Sequence, residues 1–133
     1  MIEIDGISKS FGAVRALDGV GFAANDGRIT GLLGPNGAGK STCLRILSTV
    51  LEADSGTAHV GGIDLKTSPL AARRVLGVLP HNSGLYQQLT GRENIEYYGR
   101  LHGLREDTLA KRVDALIERL ELGAIANRKA KGF

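Results

Sequence analysis

The 133-residue chain contains one cysteine, one methionine, three prolines and no tryptophan. A single cysteine cannot pair within the chain, which excludes an intramolecular disulfide framework. No run of about 18 apolar residues occurs, so we expect no membrane-spanning helix. Glu3 and Asp5 near the N-terminus, with no long apolar run behind them, also argue against a signal peptide. The net charge of +3 is too small to indicate a nucleic-acid partner, and we expect none.

Glycine, in contrast, is abundant, with 19 among the 133 residues, which is about twice the usual share of roughly 7%. No collagen-like period accompanies it, so we expect the glycines to serve turns and close approaches of backbone. Hydrophobic residues make up 42% of the chain and charged residues 23%, near the averages of globular domains. The chain is therefore predicted to fold around a hydrophobic core.

The first 89 residues have an α/β pattern. A strand and a turn are predicted over residues 2–12 and a second strand over 14–22, and residues 28–33 form an apolar strand of the kind buried on both faces. The further elements of this part are a helix after the glycine-rich loop at 34–39, a strand at 57–60, a helix from Pro69 to about Arg74 and an apolar strand at 75–79. This alternation predicts an α/β core.

Residues 90–133 predict the start of a helical subdomain. Thr90 and Glu93 form a capping-box pattern for a helix through Leu101, and Gly103 suits the position after that helix. The clearest amphipathic helix is predicted over residues 106–122, with one apolar face formed by Leu109, Val113, Leu116, Ile117 and Leu120. We therefore expect a core domain at 1–89 and a helical subdomain that begins at 90.

Residues 34–42 match the pattern G-x-x-x-x-G-K-[ST], with the sequence Gly34, Pro35, Asn36, Gly37, Ala38, Gly39, Lys40, Ser41 and Thr42. A predicted strand before the pattern and a helix after it are the context of a phosphate-binding loop. A chance glycine-rich turn would produce this pattern in about one per cent or fewer of chains this long. We expect Lys40 to reach the β- and γ-phosphates of a nucleotide, Ser41 to bind Mg²⁺ and Thr42 to support the α-phosphate.

The whole stretch from residue 34 to 42 resembles the Walker A motif of ATP-binding cassette (ABC) ATPases. Residues 10–22 and 54–65 resemble the segments that flank this motif in the family, and residues 78–94 resemble the region around its Q-loop. The resemblance covers essentially the whole chain and is strongest to sodium- and drug-exporter cassettes. It implies a P-loop NTPase fold of the α/β class with an N-terminal antiparallel segment and an incomplete sheet.

The resemblance also implies roles for single residues. Phe11, 29 residues before Lys40, lies where the family stacks an aromatic ring on adenine, although a core position is the alternative. Ala16 lies near the position of the ribose. His81 stands where the family usually has a glutamine that binds Mg²⁺, so its metal role is open beside that of a solvated side chain. ATP and Mg²⁺ are the cofactors implied, with Ser41 and His81 as the metal-binding residues.

Parts of the family's catalytic machinery are absent from these 133 residues. The signature motif would follow a Gly-Phe pair such as Gly132 and Phe133, and no apolar strand ends in Asp-Glu. A Walker B aspartate, a catalytic glutamate and a switch histidine are therefore missing, and phosphoryl transfer needs such groups together. We expect the N-terminal half of a cassette, with no catalytic residue in it.

Three functional hypotheses stay open. The first is an ATP-binding subunit, or part of one, that powers export of a substrate together with a transmembrane permease and a second ATP-binding subunit. Such a protein would be cytoplasmic, at the inner face of the membrane. The second is a nucleotide-binding remnant that does not hydrolyse ATP. The third is a P-loop NTPase outside the ABC family, such as a kinase, for which no lid or catalytic acid is evident in the sequence.

Overall fold

The computed structural model describes residues 1–79 and 84–131. The chain divides into two compact units, Met1–Val78 and Leu79–Phe133, and each has a hydrophobic core of its own. In the described part of the chain, no helix is both long and apolar enough to cross a membrane. The division into domains at residue 89 stays a prediction.

Within residues 1–79, the first unit is built on a four-stranded sheet. Its strands are β1 (Ile2–Phe11), β2 (Val14–Ala24), β3 (Ser55–Val60) and β4 (Ile63–Asp64), in the spatial order β2-β1-β3-β4. All neighbouring strands are antiparallel. Gly12, in the turn between β1 and β2, has a φ of +57°, which glycine adopts without steric cost. The predicted antiparallel segment is confirmed.

Two helices share the core of the first unit with the sheet. They are α1 (Lys40–Leu47) and α2 (Pro69–Val75). Ile7 of β1 and Cys43 of α1 are both 2% exposed and belong to the same cluster of apolar side chains. Burial raises the pKa of the Cys43 thiol, so Cys43 is a small packing residue rather than a reactive nucleophile.

The strands predicted at residues 28–33 and 75–79 do not form. Residues 28–33 have no regular secondary structure, and the side chains of Ile29 and Leu33 are 104% and 92% exposed. Val75 ends α2, and residues 76–79 are irregular as well. An apolar segment becomes a strand only where neighbours complete its hydrogen bonds. Among the described residues, neither segment has such a neighbour.

The second unit contains α3 (Gly91–Leu101) and α4 (Glu106–Arg119). The Thr90 side chain accepts a hydrogen bond from the Glu93 N–H, and the Glu93 carboxylate accepts one from the Thr90 N–H at 2.7 Å. This second bond is the main reason that the pKa of Glu93 lies below its usual range. The predicted capping box is therefore confirmed, and so is the turn at Gly103, whose φ is +73°.

The apolar face predicted for α4 is only partly right. Leu109, Val113 and Ile117 are buried in the core of the second unit, whereas Leu116 and Leu120 are 41% and 58% exposed. The buried face of the helix therefore contains three of the five predicted residues. The helix ends at Arg119 rather than at residue 122. Periodicity identified the helix, but the width of its buried face depends on the partner it packs against.

Asp54 connects the segment before β3 to β1. Its carboxylate accepts hydrogen bonds from Lys9 Nζ at 2.6 Å and from the Ser10 N–H at 2.7 Å, and these bonds lower its pKa. Because the folded-state pKa is depressed, the stabilisation is present above the unfolded-state value of about 3.9 and is lost as the pH falls through the lower folded value. We expect Asp54→Asn to lower the urea midpoint at pH 7 and to matter little at about pH 2.

Urea denaturation at several pH values tests this prediction. Asp5→Asn, at an exposed position of β1, is the matched control and should leave the profile close to that of the original chain. A constant offset between Asp54→Asn and the original chain from neutral to acid pH would contradict the ion-pair account.

Candidate functional site

The glycine-rich loop at residues 34–39 leads into the N-terminus of α1. Gly34, Gly37 and Gly39 have φ angles of +155°, +85° and +81°. Residues with a Cβ rarely adopt such angles, and this explains why the loop needs glycine at these three places. A loop of this kind turns successive backbone N–H groups towards one side, where they form a cradle for an anion.

Gly39 is the N-cap residue of α1 and lies directly against β2. A Cβ at this position would overlap the backbone oxygen of Ala16 and the side chain of Leu17. The absence of a side chain thus allows the start of the helix to approach the strand. This approach is what brings a loop and a strand that are distant in sequence into one site.

The first turn of α1 presents backbone donors. Lys40, Ser41 and Thr42 are its first three residues, and the N–H groups at these positions have no acceptor within a helix. The Cys43 N–H is the first to bond back into the helix, to the Gly39 carbonyl at 2.8 Å. The positive end of the helix dipole adds to these donors, so the turn favours an anion.

Lys40 folds back over the loop. Its ammonium group donates to the carbonyl oxygens of Gly34 and Pro35, both at 2.6 Å. The positive charge is therefore held at the loop itself, at the same end of α1 as the N–H donors. A phosphate in the loop would compete with these two carbonyls for the ammonium group.

A cavity of about 260 Å³ opens beside the loop. Its lining comes from the start of β2 and from the loop with the first turn of α1, namely Val14, Arg15, Ala16, Asn36, Gly37, Gly39, Lys40, Ser41 and Thr42. Ala16, which the family resemblance associates with the ribose, is therefore beside the loop. Gly34, Pro35 and Ala38 belong to the loop but do not line this cavity. The Ala38 N–H instead closes a turn onto the Pro35 carbonyl at 3.3 Å.

Val14 and Arg15 were missed by the sequence analysis. The only signal for them is the register of the hairpin, in which Val14 pairs with Phe11 across the turn. That register requires the tertiary structure, because several bulges interrupt the pairing of β1 with β2. The strand residues therefore contribute to the site by an arrangement that the motif itself does not encode.

Phe11 is the last residue of β1 and is 47% exposed. It does not line the cavity, but its pairing partner Val14 does. Lys9 Nζ lies 5.8 Å from the centre of the ring, within the range of a cation–π contact. The alternative that Phe11 is a core residue is wrong, since nearly half of the residue remains open to solvent.

Of the two predicted metal-binding residues, Ser41 and His81, the structure describes Ser41. Ser41 lies in the lining of the cavity beside Lys40, whereas His81 lies outside the described residues. Within residues 1–79 and 84–131, no three His, Cys, Asp or Glu side chains are grouped as a metal centre requires. Mg²⁺ typically keeps several waters and binds one or two protein oxygens together with substrate phosphates. A serine hydroxyl beside a phosphate loop fits an ion that arrives with a nucleotide.

Comparison with known proteins identifies a family. Residues 17–133 match the family described as ABC transporter. The chain is 39% identical over 132 residues to the daunorubicin resistance ATP-binding protein DrrA3 of Streptomyces coeruleorubidus, covering 99% of this chain and 42% of the relative. It is 35% identical to the ABC transporter ATP-binding protein NatA of Bacillus subtilis, over 100% of this chain and 56% of that protein.

Solved structures have the same fold. An ATP-binding subunit of an ABC transporter superposes with a TM-score of 0.83 at 27% identity, over 99% of this chain and 55% of that one. The ATP-binding cassette MJ0796, solved with ADP and Pi, superposes with a TM-score of 0.80 at 23% identity, over 100% of this chain and 63% of its own. The chain thus spans between about two fifths and two thirds of these relatives. The chain therefore has the fold of part of an α/β ABC ATPase domain.

Proposed function

The chain belongs to the ABC transporter family, and on that premise we propose that it is the nucleotide-binding part of an ATP-binding subunit. It binds ATP with Mg²⁺, and the whole protein couples ATP hydrolysis to export of a substrate across a membrane. The observation that carries the proposal is the glycine-rich loop at 34–39 beside a cavity lined by Lys40, Ser41 and Thr42. The hypothesis of a P-loop NTPase outside the ABC family is wrong, because the family match covers residues 17–133.

Each group in the loop has a defined task in this proposal. The backbone N–H groups of Gly37, Gly39 and the first turn of α1 receive the phosphate oxygens. Lys40 leaves the loop carbonyls and pairs with the β- and γ-phosphates, and Thr42 supports the α-phosphate. Ser41 offers its hydroxyl to Mg²⁺, which when bound neutralises part of the phosphate charge. His81 is proposed as a second ligand of that ion.

The partners proposed for the whole protein are a transmembrane permease and a second ATP-binding subunit. We propose that these partners hold the whole protein at the cytoplasmic face of the membrane. Two similar proteins are named for resistance to daunorubicin, DrrA3 of Streptomyces coeruleorubidus and DrrA of Streptomyces peucetius. These names support a drug-exporter type of cassette.

A second candidate is a nucleotide binder that does not turn ATP over by itself. It is favoured by the lining of the cavity around Ser41, which includes no Asp or Glu among the described residues, since phosphoryl transfer needs metal, nucleophile and charge stabilisation positioned together. We expect a polypeptide of these 133 residues to bind Mg²⁺–ATP without releasing phosphate faster than its Lys40→Ala variant. Calorimetric titration and a phosphate-release assay on the same preparation test both statements.

The two measurements have separate outcomes. A preparation that shows a cooperative unfolding transition but binds no nucleotide would contradict the site itself. Turnover clearly above the Lys40→Ala background would contradict the second candidate and show that these residues suffice for hydrolysis.

Base stacking on Phe11 leads to a separate prediction. Because stacking recognises the face of a base and not its edge, Phe11→Ala should weaken ATP and GTP binding by similar factors, worth about 1–3 kcal/mol. Phe11→Tyr should be nearly neutral. The control is Phe22→Ala, since Phe22 packs on the core and its truncation should lower thermal stability instead of weakening nucleotide binding. Unchanged affinities in Phe11→Ala would refute the stacking role.

A further inference from the structure

We propose that Arg15 is a second phosphate-binding cation of this site. When no nucleotide is present, the guanidinium group of Arg15 pairs with the carboxylate of Asp18. This inference rests on the proposed function, because it assigns a residue to the same nucleotide site. Neither the P-loop motif nor the roles that the family resemblance implies include Arg15.

Arg15 is the second residue of β2 and lines the same cavity as Lys40, Ser41 and Thr42. The strand and the helix N-terminus are held together where Gly39 meets the backbone of Ala16. Arg15 is therefore next in sequence to the residue that forms the close contact with the loop. A side chain there reaches the cavity from the wall formed by β2, whereas the N–H donors belong to α1.

Among the described residues that line the cavity, Lys40 and Arg15 carry the charges, and both are positive. Mg²⁺–ATP still carries a net negative charge of about −2, and a single ammonium group leaves part of it unpaired. The planar guanidinium group offers donors in a fork that matches two oxygens of a phosphate. Arg15 thus has the chemistry that the polyphosphate needs on that wall.

Arg15 forms an exposed ion pair with Asp18. Its Nη1 lies 3.0 Å from Oδ1 of Asp18, and the two side chains are 63% and 70% exposed. An ion pair so open to water holds its partners only weakly, so a polyphosphate can take the guanidinium group from Asp18 at little cost. Asp18 also lies at a bulge of β2, where the pairing with β1 shifts register between Ile7 and Lys9.

The experiment compares variants with probes that differ in their phosphates. The variants are Arg15→Gln, Arg15→Lys and Asp18→Asn in the full chain, and the probes are Mg²⁺–tripolyphosphate, Mg²⁺–ATP and adenosine. Arg15→Gln should weaken tripolyphosphate and ATP about three- to tenfold and leave adenosine unchanged. The phosphate affinities of Arg15→Lys should lie between those of the original chain and those of Arg15→Gln, because lysine keeps the charge but loses the forked pair of donors. Asp18→Asn should strengthen the binding of both phosphate probes up to about threefold, since the carboxylate that competes for the Arg15 guanidinium group is removed.

Arg74→Gln is the matched control, because it removes the same charge from an exposed position of α2 that does not line the cavity. It should leave all three affinities unchanged, and circular dichroism should show the same fold in every variant. Equal tripolyphosphate affinities in Arg15→Gln and the original chain would overturn the inference. So would weaker ATP binding with unchanged tripolyphosphate binding, which would assign Arg15 to the base or ribose.

The Lys40→Ala variant separates this inference from the proposed function. If Lys40→Ala weakens tripolyphosphate binding and Arg15→Gln does not, the phosphate site stands and only the role of Arg15 is wrong. If neither substitution changes the binding of any phosphate probe, the proposed function fails and the inference fails with it.

Discussion

Replacing Lys40 with alanine is expected to weaken Mg²⁺–ATP binding by about 10- to 150-fold. The substitution removes the ammonium group that we assign to the β- and γ-phosphates, and loss of a hydrogen bond to a charged group costs about 1.5–3 kcal/mol. Calorimetric titration of the two proteins at the same salt concentration measures the difference. The salt concentration matters because ions in solution screen exposed charges.

Lys66→Ala is the matched control for this prediction. Lys66 is exposed in the same unit and lies outside the cavity, so its substitution removes the same charge without touching the site. The affinity of this variant should stay within about twofold of the original. Equal dissociation constants for Lys40→Ala and Lys66→Ala would contradict the assignment of the phosphate site.

Replacing Ile7 with alanine is expected to lower the free energy of unfolding of the first unit by about 2–5 kcal/mol. Ile7 is 2% exposed in the core between the sheet and the two helices, so the smaller side chain leaves a cavity behind. Because small proteins are stable by only about 5–15 kcal/mol, this one change should remove a large part of the total. Urea denaturation followed by circular dichroism measures the effect.

Ile29→Ala is the comparison that makes this prediction specific. Ile29 is 104% exposed in the irregular segment 28–33, so its truncation should change the free energy of unfolding by less than about 0.5 kcal/mol. It should also reduce aggregation, because contiguous exposed apolar side chains associate with one another. A loss at Ile29 as large as that at Ile7 would show that residues 28–33 are packed as a strand.

Local features could be predicted from the sequence because short-range chemistry determines them. The capping box of Thr90 and Glu93 needs three residues of helix and no tertiary partner. The turn at Gly12 needs only a residue that tolerates a positive φ. The loop at residues 34–42 was recognised for the same reason, since its glycines, its lysine and the following helix are adjacent in the chain.

Features that join distant segments could not be predicted. Residues 28–33 have the composition of a buried strand, but whether they form one depends on neighbouring strands, and the described residues contain none beside them. The exposure of Leu116 and Leu120 likewise depends on how much of α4 its partner covers.

For the site itself, the sequence alone predicted the phosphate loop and the roles of Lys40, Ser41 and Thr42. Only the tertiary structure decided that Gly39 approaches Ala16, that Arg15 shares a cavity with Lys40, and that the ring of Phe11 is open to solvent. The physical reason is the distance along the chain over which each kind of interaction acts. Backbone conformation and helix capping act over a few residues, whereas the approach of the loop to β2 joins Gly39 and Ala16, which lie 23 residues apart along the chain.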